Sequence, residues 1–144
     1  MKYLQYTLFL LSFSSSTLFA AEHLKNVRAT KRLAENVVLM VKDNSIDQAF
    51  KDLKAHWPLS AEELDNLLAH TKEQRKAVQE HFGKPLSVEF IRTEELGQSL
   101  VRHVFIEKFE KHALKWQLSF YKPSEEWIVN SIYWDVKISD LYNK

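Results

Sequence analysis

The sequence predicts an α+β domain: three N-terminal helices packed on a curved antiparallel β-meander of about four strands. Three observations predict it. Apolar residues recur at spacings of three and four as far as Phe82, the signature of amphipathic helices. From Leu86 the apolar period changes to two, the period of a strand with one buried face. The connections within that second half are too short to join anything but antiparallel neighbours.

The first twenty residues read as a targeting segment. Lys2 supplies a positive start, residues 4–13 are almost wholly apolar, and four hydroxyl residues lead into Leu18, Phe19, Ala20 and Ala21. Cleavage after Ala20 leaves a small side chain at the cut, with a tolerable Leu18 two residues before it; cleavage after Ala21 would put bulky Phe19 there. The expectation is a signal peptide over 1–20, a single domain over 21–144, and an exported protein, periplasmic or secreted. Residues 4–19 fall short of the roughly 20 apolar residues a spanning helix needs, and Gln5 and the hydroxyls dilute them, so no stable membrane anchor is expected.

Helix one is expected over residues 22–42, with Val27, Ala34, Val37, Val38 and Val41 as its apolar stripe. Lys25, Arg28, Lys31 and Arg32 crowd its first half; membrane or partner contact is one reading of that basic end, and a solvated face, favoured by nearby Glu22 and Glu35 and by the balanced charge of the domain, is the other. Asp43 and Asn44 break it. Ser45 should cap helix two, where Ile46, Ala49, Phe50, Leu53 and Trp57 share one face, and Pro58 should stop it. Ser60 and Glu63 fit a capping box for helix three, in which the Ser60 hydroxyl takes the Glu63 amide. Leu64, Leu67, Leu68, Thr71, Val78 and Phe82 carry that helix to Gly83, and Pro85 forbids its continuation.

Strands are expected over residues 86–94, 99–109, 112–121 and 126–138. If Phe109 faces His112 across the turn Glu110-Lys111, Phe105 lies opposite Trp116, His103 opposite Leu118 and Val101 opposite Phe120, with Arg102, Lys108, Lys115 and Gln117 on the other face. A slip of one residue would instead bring Val104 and Ile106 beside Leu118 and Trp116. The last strand has two candidate inner sets: Trp127, Val129 and Tyr133, or Ile128, Ile132, Trp134 and Val136.

The chain has no cysteine, which excludes lipoprotein attachment, disulfides, thiol catalysis and Cys-ligated metals. Setting aside the first twenty residues, which hold Lys2 and no acid, leaves 19 basic against 19 acidic side chains. That balance, with export, argues against nucleic acid as a partner. The six histidines form no HExxH motif and no i, i+4 pair, so no metal is expected; there is no Gly-rich phosphate loop and no GxSxG nucleophile elbow, and no cofactor is expected.

Three helices, then Gly83-Lys84-Pro85, the Gly97 turn, an aromatic strand from Trp116 to Tyr121 and a final strand opened by Glu126-Trp127-Ile128-Val129 resemble the NTF2-like superfamily over essentially the whole of 21–144, its uncharacterised secreted members above all. The resemblance implies a cone whose sheet wraps a long helix around a pocket. Its members include isomerases and dehydratases as well as binding or dimerising modules without catalysis. Candidate pocket-lining residues are then Phe105, Trp116, Leu118 and Phe120. Catalytic members place an Asp or His base in the cone with a Tyr nearby, which makes His103, His112, Asp135 and Tyr133 the candidates here, with His112 near Asp135 and Tyr133 beside Leu114 if a four-residue turn joins the last two strands. None of these spacings is specific to catalysis. The expectation is a non-catalytic module for a small apolar ligand or a protein partner, with a small hydrolase, isomerase or dehydratase as the alternative. Surplus aromatics on the sheet's outer face point to a homodimer, unless residues 139–144 cover them.

Overall fold

A computed structural model describes residues 23–142; the expected signal segment and its cleavage point lie outside them. Helices α1 (Val27–Lys42), α2 (Ile46–Lys54) and α3 (Ala61–Phe82) precede strands β1 (Pro85–Leu96), β2 (Leu100–Phe109), β3 (Ala113–Tyr121) and β4 (Ile128–Asp135), and a short 3-10 turn, η1 (Ile138–Leu141), follows. The strands form one antiparallel sheet in the order β1-β2-β3-β4. The α+β class and the meander are as the sequence predicts.

Helix α1 starts at Val27 and not near residue 22, because Asn26 caps it, accepting the Ala29 amide at 2.9 Å. Upstream of that cap, Leu24 is held in a bridge to Trp127, and extended backbone cannot also be helical. Ala29, Thr30, Ala34, Val37, Val38 and Val41 face the core. Asn44 takes a left-handed φ of 63° between α1 and α2. Ser45 occupies the cap position of α2 without a side-chain hydrogen bond, and α2 ends at Lys54, so Trp57 lies beyond it and donates its ring N–H to the Ser60 carbonyl at 3.2 Å. Ser60 caps α3 through the Glu62 amide at 3.2 Å, one residue short of the Glu63 amide that a capping box requires. Gly83 ends α3 at φ 83°, where a side chain would collide with Glu110, whose carboxylate accepts the Lys84 amide at 3.0 Å.

The β2-β3 register is the first of the two expected ones: Phe105 pairs with Trp116, His103 with Leu118 and Val101 with Phe120. The Phe109 amide closes the turn onto the His112 carbonyl at 2.9 Å. Ladder shifts at Pro85/Ser87 and Phe90/Arg92 in β1, and at Ser119/Phe120 in β3-β4, are bulges that bend and twist the strands.

The last pairing departs from expectation. Tyr121 pairs with Ile128, so residues 122–127 form the connection; Tyr133 lies opposite Gln117 and Asp135 opposite Lys115. Trp127 is withdrawn from the ladder: its amide donates to the Leu24 carbonyl at 2.9 Å and its side chain is buried. The bulge then splits both candidate inner sets, with Val129 inward before it and Ile132 and Trp134 inward after it.

Candidate functional site

The inner face of the sheet has little room for a ligand. Phe105, Trp116, Leu118 and Phe120 are each 0% exposed, and they pack with Val37, Val38, Phe50, Leu53 and Leu64 of the helices in one cluster. Trp116 stacks on Trp134 with ring centres 5.8 Å apart. Trp134 in turn donates its ring N–H to the Thr71 hydroxyl on α3 at 3.3 Å.

Two polar side chains of β2 reach into this interior, and both are engaged. Glu107 continues the inward alternation of His103 and Phe105, and Arg75 of α3 meets it with two hydrogen bonds at 2.7 and 2.8 Å. Trp116 donates its ring N–H to the same carboxylate at 3.0 Å, and Arg75 also donates to the Val41 carbonyl at 3.3 Å. Arg75 Nε is left without a partner, a cost the bidentate pair offsets. The alternation that places Phe105 inward predicts an inward Glu107, and Arg75 follows Leu64, Leu68 and Thr71 at helical spacing, so the sequence contained the signal for this pair.

His103 is the other inward group. Thr30 donates its hydroxyl to the Val27 carbonyl at 2.8 Å, so toward His103 Nε2, also at 2.8 Å, it accepts; His103 is therefore protonated on Nε2, and its Nδ1 accepts from Thr93 at 2.9 Å. Burial, helped by the Lys31 charge, pushes its pKa down to about 4. The ring is neutral at pH 7, with both nitrogens occupied.

The remaining acid–base candidates lie elsewhere. His112 is exposed at the β2-β3 turn, its ring edge-on to Phe82 at 4.6 Å. Tyr133 and Asp135 project from the outer face. Burial pushes the Asp135 carboxyl up, but hydrogen bonds from Tyr133, the Lys137 amide and Lys115 outweigh it and hold it below the usual range. The bond to Asp135 in turn raises the Tyr133 hydroxyl. Lys115 is only 3% exposed and lies 3.2 Å from both Asp135 and Asp140; burial pulls its ammonium down, and the two carboxylates more than restore it. A Lys held protonated is no nucleophile. His103, His112 and the Tyr133-Asp135 pair thus occupy three separate places and do not converge.

The outer face is built in cross-strand rows. Leu96, Leu100, Tyr121 and Ile128 form an apolar row at one end, with Leu96 71% and Tyr121 41% exposed. The next row holds Glu94, Arg102 and Ser119, with Asn130 beyond them. Arg92, Val104, Gln117 and Tyr133 follow, and here the C-terminal tail crosses the sheet, fixed by Asp140 on Lys115 and by Arg92 donating to the Leu141 carbonyl at 3.0 Å. Val104 is fully buried in this third row. Over the first two rows lies a groove of about 340 Å³ lined by Glu94, Leu96, Leu100, Val101, Arg102, Ser119 and Asn130.

Among the described residues no group of three or more His, Cys, Asp or Glu side chains could hold a metal ion. No helix among them is long and apolar enough to cross a membrane. Comparisons with models of protein families, with curated proteins and with solved structures found no match to this chain.

Proposed function

We propose that this chain is an exported, non-catalytic binding module on an NTF2-like cone, acting through the outer face of its sheet. The observation that carries the reading is the filled interior: the side chains that would line a pocket are inaccessible to water, and the inward ionisable groups, His103, Glu107 and Arg75, are each held by other residues of the chain. An active site on this fold needs a reachable base beside a cavity. Lys2, the apolar stretch that follows it and Ala20 support export. Intact mass of protein from an exporting host, reading a chain that begins at Ala21, checks that part.

A small ligand is favoured over a second copy as the occupant of the outer face. The tail crosses the middle of that face and leaves one apolar row uncovered, whereas a stable interface buries at least about 1,000 Å² in total. The homodimer expected from the sequence is the second occupant, and sedimentation of the chain at micromolar concentration separates the two. Incubation with a panel of esters, thioesters and β,γ-unsaturated ketones, read by mass spectrometry, tests the absence of catalysis. The expected result is no turnover above buffer; turnover abolished by His103→Gln or Asp135→Asn would establish the enzyme instead.

A further inference from the structure

Building on the reading of the chain as a binding module, we propose that the outer groove binds small anionic amphiphiles, the anionic head on Arg102 and the apolar body along Leu96, Leu100 and Tyr121. The charge count points to an anion. Glu94 is a single carboxylate shared by two guanidiniums: Oε1 accepts from Arg92 Nε at 2.8 Å, and Oε2 takes Arg102 through Nε and Nη2, each at 2.5 Å. One positive charge is therefore uncompensated within the cluster. Arg92 spends a further N–H on the Leu141 carbonyl, while Arg102 Nη1 donates to none of the described residues and its side chain is 47% exposed. The unspent N–H thus sits on Arg102, which lines the groove, and the surplus positive charge is shared by the two guanidiniums on Glu94.

Next to that donor, Ser119 offers a hydroxyl and Asn130 an amide, both able to donate to a carboxylate or a sulfonate. The apolar row runs parallel to this polar one, a single strand-residue repeat away, so a head group on Arg102 directs an attached chain onto Leu100 and Leu96. A volume of about 340 Å³ falls at the lower end for small-molecule sites and suits one short amphiphile. A cation would meet the surplus positive charge of the cluster, and a neutral apolar molecule would desolvate Arg102 Nη1 without giving it a partner.

The test is an NMR titration at pH 7 with decanoate below its micelle concentration, run beside decyltrimethylammonium. Decanoate should bind saturably and shift the amides of Leu96, Leu100, Arg102 and Ser119, while the cationic amphiphile should not. Arg102→Gln should weaken decanoate by roughly tenfold or more, the loss of a hydrogen bond to a charged group. Arg102→Lys should recover part of that loss, since charge without the planar fork is retained. Leu100→Ser should weaken decanoate while leaving the fold intact, because Leu100 is 37% exposed. Equal binding of both amphiphiles, or decanoate binding indifferent to Arg102→Gln, would overturn the proposal, as would a dimer that buries Leu96 and Leu100 and does not yield to decanoate. Shifts confined to Phe105, Trp116 and Leu118 would overturn both the groove and the filled interior. Turnover in the substrate panel would overturn only the non-catalytic reading, so the two failures are distinguishable.

Discussion

Arg75 and Glu107 form an ion pair buried in the core. The guanidinium and the carboxylate each lose several kcal/mol of hydration on burial, which their mutual bonds and those to Val41 and Trp116 offset. Removing one partner strands the other, so Arg75→Met or Glu107→Leu alone should cost about 3 to 5 kcal/mol in urea titration. The double variant should cost far less than the sum; simple additivity would mean the two groups do not depend on each other. His103 makes a different prediction. Its folded pKa of about 4 lies below the ordinary value near 6.5, so as pH falls through that window the unfolded chain takes up the proton first. Stability should therefore be full above pH 6.5 or so, fall by about 3 kcal/mol on the way to pH 4, and lose nothing further through His103 below that. The difference between wild type and His103→Gln isolates this effect from the Asp135 and Glu94 carboxyls, whose lowered pKa values place their own losses in more acid solution.

Strand β3 shows how far pattern alone reaches for an element. Alternation places Trp116 inward, and Trp116→Ala should cost about 3 to 5 kcal/mol through lost transfer energy and a cavity. The same alternation places Lys115 and Gln117 outward, yet Lys115 is buried between Asp135 and Asp140, so the two are not equivalent. Gln117→Ala should change stability by no more than about 0.5 kcal/mol, whereas Lys115→Ala should cost about 1 to 3 kcal/mol by leaving Asp135 short of a partner. Equal losses at 115 and 117 in denaturant titration would mean the tail does not lie on the sheet. Helices, strand order and the β2-β3 register were legible because each follows from a local period or a two-residue turn. The β4 register was not, because it depends on Trp127 leaving the ladder to meet Leu24, a contact between residues 103 positions apart in the chain with no local signature. The misplacement of Asp135 beside His112 follows directly from that. The bulge that turns Val129 and Ile132 to the same side has no turn residue to announce it. Of the groove, Leu100 was legible on the face of Arg102 from the alternation of β2, whereas the place of Leu96 and Glu94 beside them depends on the β1-β2 register, which the bulges of β1 shift.

For the whole molecule, the inner face of the sheet is buried in the core, and the outer face is covered in part by the C-terminal tail. The helices and the inward side chains of β2, β3 and β4 fill the interior with apolar groups and two hydrogen-bonded polar clusters, around Glu107 with Arg75 and around His103. The tail then divides the outer face and leaves the end bearing Leu96, Leu100 and Tyr121 uncovered. A filled interior is open to direct measurement, because xenon enters apolar cavities and cannot enter close-packed cores. Crystals of the chain pressurised with xenon should show no xenon between Phe105, Trp116, Leu118 and Phe120. An ordered xenon atom among those four side chains would contradict the filled interior and return it to consideration as the binding site.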